Sequence, residues 1–362
     1  MHKQKYKYAI IGMGAMGNEH LENLKLIENV DVVALCDNFE SSLNNYSKIK
    51  NDKIKLYNNH LSLISDNPAD VYIVATPNHT HLELLKDLIK TNAHLMIEKP
   101  LCTNIKDCFD LKKITSHYPG MIWTAMEYRY MPPVKKFISD IKLGKIGNIK
   151  MLSIREHRFP FLKKVRDWNR FKENTGGTLV EKCCHFFDLM RVILDSEAIR
   201  VYASGNQDVN HLNEKYNGRV PDIIDNAYVI VDFKNGTRAL LELCMFAENS
   251  DLQEEICGLG DKGKIFTGVP SHHSGRNSSE LTLGLRGNVE IFKETISVDE
   301  KILKAGHHHG STYFEHLAFI RALNSNFIPE VSLDDGLKAV AIGQAAEISV
   351  KEKRSVLMNE LD

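Results

Sequence analysis

The first third of the chain alternates short apolar runs with stretches of helical periodicity. The apolar runs predict strands at residues 8–11, 30–35, 69–75, 94–97 and 121–126. Helical spacing of apolar residues separates these runs, at residues 18–27, 81–91 and 104–117. Strands that alternate with helices in this way predict a parallel sheet with helices on both faces, the doubly wound α/β arrangement.

The pattern changes after about residue 130, where longer strands follow one another. Strands are predicted at residues 149–158, 200–205, 226–233, 237–245 and 288–296, and helices at residues 178–194, 313–324 and 333–352. Asn235-Gly236 is typical of a tight hairpin turn, residues 286–288 indicate a second turn, and residues 268–280 indicate a surface loop. We therefore predict a second domain of the α+β class with an antiparallel sheet.

Length and composition narrow the class of protein. A chain of 362 residues favours two domains, which we place at residues 1–128 and 129–362. Its 46 basic and 47 acidic residues give a net charge of -1, which lacks the basic footprint of a nucleic-acid or anionic-membrane binder. No apolar run approaches the roughly 18 residues of a membrane span, and glycines interrupt the N-terminal apolar run, so no signal peptide is expected. The seven cysteines lack a Cys-x-x-Cys pair, so we expect reduced thiols and a cytoplasmic location.

A glycine-rich loop carries the clearest chemical signal. Gly12-Met13-Gly14-Ala15-Met16-Gly17 follows the first predicted strand and opens the first predicted helix. In such a loop the first glycine permits the tight turn, the second lets the backbone approach a pyrophosphate, and the third lets the helix pack on the strand. The helix N-terminus favours the negative phosphates. A simple glycine-rich turn is the alternative, but the strand–turn–helix context favours dinucleotide binding.

Asp37 supports that interpretation and bears on the choice of cofactor. It lies 20 positions after Gly17, at the end of the second predicted strand, where a carboxylate accepts hydrogen bonds from the adenosine ribose. A carboxylate at this point repels a 2′-phosphate, and the next residues, Asn38, Phe39 and Glu40, add no positive charge. We therefore predict NAD as the cofactor, with NADP less favoured.

Two more loops follow strands of the predicted parallel sheet. They are Thr76-Pro77-Asn78-His79-Thr80-His81 and Glu98-Lys99-Pro100. Because ligands bind outside the carboxyl ends of parallel strands, both loops are expected to border the cofactor. A capped Pro-Asn turn and a surface Glu-Lys-Pro turn are the alternatives. A lysine at this edge is suited to orient a substrate hydroxyl and to stabilise the oxyanion that forms as hydride leaves.

The predicted helix at residues 178–194 carries Glu181, His185 and Asp188. Spacings of four and three residues place these side chains on one face. An imidazole with an ordinary pKa near about 6.5 suits a general base for an alcohol proton, and Glu181 is suited to orient it or to contact substrate. A solvated helix face with an i,i+4 pair is the alternative. No partner ligands have the spacing of a zinc site.

The histidine runs 272–273 and 307–309 do not predict a metal site. Adjacent side chains point in different directions, so runs of this kind rarely converge on one ion. One of these histidines is suited to line a substrate cleft, and we name His309 for that position.

Taken in order, these motifs resemble the glucose–fructose oxidoreductase and inositol dehydrogenase family, Gfo/Idh/MocA, over essentially the whole chain. The late segment 331–347 also resembles the family's C-terminal helix. The resemblance implies a Rossmann domain followed by an α/β domain with an open, mostly antiparallel sheet. That sheet commonly packs against its copy, so a homodimer or homotetramer is expected. Family members act on inositols, sugars, sugar derivatives and some dihydrodiols.

The resemblance also implies residue roles. His185 is the expected acid/base, Lys99 assists at the reacting hydroxyl, Glu181 replaces the usual aspartate, and the Lys99–Pro100 peptide is expected to be cis. Cofactor contacts are expected from Gly12, Met13, Gly14, Ala15, Met16, Gly17, Asp37, Asn38, Thr76, Pro77, Asn78, His81, Glu98, Lys99 and Glu127. Substrate contacts are expected from Lys99, Tyr128, Arg129, Arg158, Trp168, Glu181, His185, Asp188 and His309.

The sequence departs from the family pattern beside the expected base. Glu181 is one methylene longer than the usual aspartate, Lys182 follows it, and Cys183-Cys184 replaces smaller residues. Substrate geometry is therefore expected to differ from that of inositol dehydrogenases. We predict an NAD-dependent oxidoreductase that oxidises a secondary alcohol of a sugar or cyclic polyol.

Two other functions fit the same family resemblance. One is a redox-neutral glycosidase that retains its NAD, and the other is a sugar sensor without catalysis. The set of Lys99, His185 and Glu181 argues against the sensor, because a sensor needs no acid/base pair.

Overall fold

The chain forms two compact units, one of which is discontinuous in sequence. A computed structural model describes residues 5–47, 53–271, 274–325 and 328–361. The first unit comprises Met1–Met126 and Thr312–Leu337, and the second comprises Glu127–Ser311 and Lys338–Asp362. The predicted division at residue 128 is close to the first change of unit. It assigned every later residue to the second domain, whereas residues 312–337 return to the first.

The first unit is built on a parallel sheet. Its strands are β1 (Tyr6–Ile11), β2 (Val30–Cys36), β3 (Lys55–Tyr57), β4 (Val71–Val74), β5 (His94–Glu98) and β6 (Ile122–Ala125). They are arranged in the order β3-β2-β1-β4-β5-β6. Its helices are α1 (Ala15–Leu24), α2 (Glu40–Ser47), α3 (His60–Asp66), α4 (His81–Leu88) and α5 (Ile105–Ile114). This is the Rossmann arrangement, so the predicted fold class of this part is confirmed.

The apolar runs that predicted these strands are buried because helices cover both faces of a parallel sheet. All four residues of β4 and all four of β6 are buried. The strand order reverses between β1 and β4, so the loops after these strands border the crevice where doubly wound sheets bind ligands.

The returning segment 312–337 is tied to the parallel sheet by specific bonds. The Thr124 backbone N–H donates to the Val331 carbonyl at 3.1 Å, beside strand β6. The buried Trp123 indole N–H donates to the Glu315 carboxylate at 3.0 Å. Sequence periodicity predicted the helix here but not its partner, because a helix carries no local record of which sheet it covers.

The second unit contains a nine-stranded sheet. Its strands are β7 (Ile149–His157), β8 (Ala198–Asn206), β9 (Asn226–Phe233), β10 (Arg238–Cys244), β11 (Leu252–Gly260), β12 (Gly263–Pro270), β13 (Ser278–Leu285), β14 (Ile291–Ser297) and β15 (Val356–Leu357). The order is β14-β13-β12-β11-β7-β10-β9-β8-β15. Among the described strands β7 and β10 run parallel, and the other neighbouring pairs are antiparallel. The mostly antiparallel sheet implied by the resemblance is confirmed.

Both predicted turns connect paired strands. The Asn235-Gly236 turn joins β9 to β10, and Gly236 has a φ of 81°. Gly287, with a φ of 82°, joins β13 to β14. The predicted loop at residues 268–280 is shorter than expected, because β12 continues to Pro270 and β13 begins at Ser278. His272 and His273 lie outside the described residues.

The later helices include one that the sequence pattern described incorrectly. They are α6 (Pro132–Lys142), α7 (Lys172–Thr175), α8 (Thr178–Glu181), α9 (Cys184–Leu194), α10 (Glu300–Lys304), α11 (Ser311–Leu323) and α12 (Leu333–Glu352). The single helix predicted at residues 178–194 was wrong, since α8 and α9 are separated at Lys182 and Cys183. The Cys183 N–H bonds to the Thr178 carbonyl, five residues back, which interrupts the regular register.

The core of the second unit forms where the apolar side of α9 meets the sheet. Phe186 and Phe187 pack with Val229, Val231 and Leu241, all of which are almost completely buried. In the described part of the chain, no helix combines the length and apolar character that a bilayer span requires.

Candidate active site

Two glycines of the loop after β1 lie where a side chain would not fit. A Cβ on Gly12 would lie 2.4 Å from the Ala75 carbonyl oxygen, and Gly12 has a φ of 94°. A Cβ on Gly17 would lie 1.9 Å from the Gly12 carbonyl oxygen. These contacts are the tight turn and the close packing of helix on strand that the motif predicts.

Gly14 meets a different environment. A Cβ placed on it has no atom within 4 Å, so the space in front of this residue is open. Helix α1 begins at Ala15 immediately behind it, runs for 10 residues and has no acidic residue in its first turn. An open backbone surface at a helix N-terminus fits a dinucleotide pyrophosphate.

Asp37 lies next to this loop. One oxygen of its carboxylate accepts the Met13 backbone N–H at 2.8 Å, and the other accepts the Phe39 N–H at 2.8 Å. The carboxylate is therefore fixed between the glycine loop and the end of β2. Asn38, another predicted cofactor contact, follows Asp37 in the chain.

The loop after β4 is held together by its own polar groups. Residues Asn78–Thr80 form a short 3-10 turn, and the Thr80 hydroxyl donates to Thr76 and to the Pro77 carbonyl. His81 is fully buried, with one ring nitrogen 3.1 Å from the Thr76 carbonyl. Its other ring nitrogen lies 3.1 Å from the Pro100 carbonyl. Burial lowers the pKa of the His81 imidazole. His81 therefore links the two loops from inside, and its expected cofactor contact stays a prediction.

The Glu98-Lys99-Pro100 turn follows β5, and its Lys99–Pro100 peptide is cis. Glu98 is buried, and its carboxylate lies 2.8 Å from the His20 imidazole and accepts the Lys99 backbone N–H at 3.2 Å. His20 in turn lies 2.9 Å from His316 of α11, and both imidazoles are fully buried. This chain of three side chains fixes the backbone that carries Lys99.

In the second unit, His185 lies near the start of α9 in a buried environment. The Tyr128 ring stacks on it with centroids 4.0 Å apart and planes 7° apart. The Glu127 carboxylate approaches its Nε2 atom to 3.5 Å. Both neighbours come from the short turn Glu127–Tyr130. An imidazole beside a carboxylate can accept and return a proton.

Glu181 ends α8 and is also buried. Its carboxylate lies 3.6 Å from the Lys164 ammonium, and that ammonium lies 4.7 Å from the centre of the Trp168 ring. Lys164 and Trp168 belong to an irregular segment in which Arg166 and Asp167 both have a positive φ. The structure thus brings Trp168 to the same cluster as Glu181 through a lysine that sequence analysis had not named.

Asp188 is fully buried and holds Arg129. The Arg129 guanidinium binds both oxygens of the Asp188 carboxylate, and Arg191 lies 3.7 Å from one of them. The Asp188 carboxylate is thus engaged by arginines, and its expected substrate contact stays a prediction. The Arg158 guanidinium lies 3.6 Å from the Glu156 carboxylate.

The three histidines 307–309 have three different environments. His307 is exposed, the His308 ring lies 6.0 Å from the Tyr128 ring, and His309 is buried with a φ of 50°. Burial lowers the pKa of His309 to about 4, so it is neutral at neutral pH. Within the described residues, no group of three His, Cys, Asp or Glu side chains could hold a metal ion.

Two buried acids near the site were missed by sequence analysis. Glu156 lies on β7 and Glu254 on β11. Each is two positions from a buried isoleucine, Ile154 or Ile256, and therefore faces the same buried side of the sheet. A glutamate at an inward-facing strand position is the signal that points to them, because such a group needs a buried partner.

Comparison with known families covers nearly the whole described fold. Residues 6–125 match the model of the oxidoreductase family's NAD-binding Rossmann fold, and residues 138–358 match its C-terminal alpha/beta domain. The chain belongs to the Gfo/Idh/MocA oxidoreductase family.

Relatives of this Gfo/Idh/MocA oxidoreductase include a myo-inositol 2-dehydrogenase from Thermotoga maritima, 29% identical over 98% of this chain and 99% of the relative. A crystal structure from Thermotoga maritima, 26% identical, aligns with a TM-score of 0.77 over 98% of this chain and 100% of that one. A levoglucosan dehydrogenase complex with NADH and levoglucosan aligns with a TM-score of 0.82 over 98% and 100%, at 18% identity. The last likeness shows the fold alone.

Family membership identifies the first unit as an NAD-binding Rossmann domain. The open space at Gly14, the α1 N-terminus and the fixed Asp37 carboxylate are its candidate cofactor groups. The protein is therefore an NAD(P)-dependent oxidoreductase that acts on CH–OH donors.

Proposed function

We propose that the enzyme oxidises a secondary alcohol of an inositol, a sugar or a sugar derivative. The buried His185, stacked on Tyr128 and 3.5 Å from Glu127, carries the proposal, because it supplies a base for the alcohol proton. A named relative, a myo-inositol 2-dehydrogenase 29% identical over nearly the whole chain, supports this class of substrate.

In the proposed mechanism the protein positions the substrate and moves its proton. His185 takes the hydroxyl proton, and the Lys99 ammonium stabilises the alkoxide that develops. Glu181 orients the substrate or His185, with Lys164 limiting the movement of its carboxylate. A nicotinamide dinucleotide held by the glycine loop and Asp37 would supply the hydride acceptor.

We further propose that NAD is the preferred cofactor. The fixed Asp37 carboxylate would accept bonds from the ribose hydroxyls and repel a 2′-phosphate. Cofactor contacts are also proposed for Gly12, Met13, Gly14, Ala15, Met16, Gly17, Asn38, Thr76, Pro77, Asn78, Glu98, Lys99 and Glu127.

Asp37→Ala tests the cofactor proposal. It should weaken NAD binding by about tenfold and narrow the preference over NADP, measured by calorimetric titration with each nucleotide. Asp31→Ala is the matched control, because Asp31 is on β2 and bonds Lys5 at the surface. Equal NAD affinity in the wild-type protein and the Asp37 variant would contradict the proposal.

Arg129 and Asp188 both stay proposed substrate contacts. The bidentate pairing supports a substrate contact through Arg129, since the Asp188 carboxylate orients the guanidinium. Tyr128, Arg158, Trp168 and His309 remain proposed contacts. A cation at Arg129 suits hydroxyl or carboxyl oxygens of a sugar derivative.

Formation of NADH tests the reaction directly. Purified protein, NAD and a panel of inositols, aldoses and sugar derivatives should give a substrate-dependent rise in near-ultraviolet absorbance. Lys99→Ala and His185→Ala should lower turnover by roughly 10²–10⁴-fold, with NAD binding largely retained. Lys90→Ala, a surface lysine paired with Asp87, should not lower it.

The same assay separates the alternatives. No rise with any compound, together with nucleotide released on denaturation, would favour the redox-neutral glycosidase that retains NAD. Full turnover in the His185 variant would contradict the assignment of the base.

We also propose that the protein is a homodimer or homotetramer that pairs through the outer face of the nine-stranded sheet. Tyr202, Tyr228 and Ile230 are large, roughly half exposed and close together on the adjacent strands β8 and β9. Apolar patches of this kind mark interaction surfaces.

A further inference from the structure

We propose that Tyr128 is a positioning residue for His185, and that Lys182, Glu156 and Glu254 form a buried anchor for Tyr128. This inference rests on the proposed function, in which His185 exchanges a proton with the substrate hydroxyl. It assigns a task to Lys182, Glu156 and Glu254, three buried polar side chains that the proposed mechanism does not otherwise use.

The stacking geometry is the first observation. The rings of Tyr128 and His185 are nearly parallel, with centroids 4.0 Å apart and planes 7° apart. Both residues are only 2% exposed. A ring held flat against another ring cannot rotate about its own bond without losing that contact. The plane of the His185 imidazole is therefore set by the plane of Tyr128.

The hydroxyl of Tyr128 fixes that plane from the far end. It accepts a hydrogen bond from the Lys182 ammonium at 2.6 Å and donates one to the Glu254 carboxylate at 3.2 Å. The Phe186 ring packs against the Tyr128 ring edge to face, with centroids 5.7 Å apart. The phenol is thus held at its tip and along its side.

Lys182 and the acids around it form the anchor. Its ammonium lies 2.9 Å from Glu156, which is fully buried on β7, and Lys182 itself is 4% exposed. Gln253 donates to Glu254 at 2.7 Å. A buried ammonium is costly unless it is paired and hydrogen-bonded, and this one has both kinds of partner.

Lys182 lies at the break between α8 and α9. Lys182 and Cys183 form the turn between the two helices, and the apolar start of α9 follows them. Even in an uninterrupted helix Lys182 would share a face with His185, three positions later.

Tyr128 itself is a poor candidate for the acid or base. Burial raises the pKa of its phenol well above the usual value. Its hydroxyl is already engaged by Lys182 and Glu254. A positioning task agrees with both facts.

The first experiment requires no substrate. In protein with isotope-labelled histidine, the His185 ring signals, assigned with His185→Gln, should be shifted upfield by the Tyr128 ring. Tyr128→Phe should keep that shift, and Tyr128→Leu should abolish it. An unshifted His185 signal in the wild-type protein, or one that Tyr128→Leu leaves in place, would overturn the proposal.

The second experiment separates positioning from simple structural support. With NAD and myo-inositol as the probe, Tyr128→Leu should lower kcat by roughly ten- to a hundredfold while KM for NAD changes little. Tyr128→Phe should restore most of kcat, and Lys182→Met should lower it with the stack weakened. Equal kcat in the Phe and Leu variants would overturn the inference.

The two experiments also distinguish the inference from the proposed function. If wild-type protein produces no NADH from myo-inositol, that substrate assignment fails while the histidine spectra still decide the stack. Phe109→Leu, at an exposed aromatic position on α5, serves as the matched control and should change neither readout.

Discussion

Gly14 and Gly17 lie three residues apart in one loop, yet they are glycines for different reasons. Gly17 has no room for a Cβ, because the Gly12 carbonyl oxygen would lie 1.9 Å from it. Gly14 has room in the protein alone, and the space in front of it is what a pyrophosphate would fill. One glycine is therefore constrained by the fold and the other by the ligand.

This difference gives a paired prediction. Gly14→Ala should fold with a thermal midpoint close to that of the wild type and lose most of its affinity for NAD. Gly17→Ala should lower the midpoint strongly or prevent folding, because backbone must move. Calorimetric unfolding and NAD titration of both variants test it, and a Gly14 variant that binds NAD normally would contradict it.

At the residue scale, some side chains of the candidate site can be predicted from the sequence and others cannot. Glu181 and His185 were named because a helical spacing of four predicts a shared face, although the helix breaks between them at Lys182 and Cys183. Tyr128 beside His185 could not be predicted, since residues 57 positions apart leave no local pattern. The pairing of Asp188 with Arg129 was missed for the same reason, because Arg129 lies outside the helix that carries Asp188.

Helix α8 depends on a side chain from α12. The Glu347 carboxylate accepts the Leu179 backbone N–H at 3.0 Å and the Lys172 ammonium at 2.7 Å. It also lies so close to Gly177, which has a φ of 97°, that a Cβ there would meet it at 2.2 Å. The four-residue helix that carries Glu181 is thus capped from a distance.

Glu347→Ala should therefore destabilise the protein by about 2–3 kcal/mol, because a buried N–H loses its partner and Lys172 loses its charge partner. Urea unfolding measures the change in free energy. Glu352→Ala is the matched control, since Glu352 is half exposed at the end of the same helix and pairs with Arg354. Equal losses in the two variants would disprove the capping role.

Elements with clean periodicity were predicted well. Strand β9 and helix α12 were predicted at their observed bounds. Strands β11, β12 and β13 were missed, because glycines such as Gly258, Gly263 and Gly284 interrupt the alternation. Glu254, a polar residue on the buried face of β11, also interrupts the apolar pattern. It belongs to the buried group that includes Tyr128, Lys182 and Glu156.

The whole molecule should lose stability in mild acid. Burial lowers the pKa values of His81 and His316 and lowers that of His309 to about 4. The unfolded chain then binds more protons below its ordinary histidine pKa of about 6.5. Stability is therefore full above about pH 7 and falls as the pH drops, by up to about 1.4 kcal/mol per pH unit for each histidine.

Urea unfolding at pH 7.5 and 5.5 measures this dependence. His309→Asn should reduce the difference between the two pH values by about 1 kcal/mol, and asparagine tolerates the positive φ at this position. His117→Gln, at an exposed position, should leave the difference unchanged. If the His309 variant showed the same change in unfolding free energy between the two pH values as the wild type, the lowered pKa of His309 would be contradicted.

The oligomer proposed through the sheet face predicts a second change at the scale of the molecule. Tyr228→Lys should reduce the mass measured by light scattering, because the outer face of β9 would carry a new charge. Val289→Lys, at an exposed turn, should leave the mass unchanged. A wild-type mass of one chain would rule out the pairing.

The return of residues 312–337 to the parallel sheet has a consequence for synthesis. Thr124 of strand β6 bonds Val331, and Trp123 bonds Glu315, so the first unit lacks these partners until residue 331 has left the ribosome. The second unit is also incomplete until α12 is synthesised, because Glu347 of α12 caps helix α8. Neither unit can therefore complete its contacts before residues 312–347 are synthesised. A nascent chain cut after residue 311 should remain dependent on chaperones.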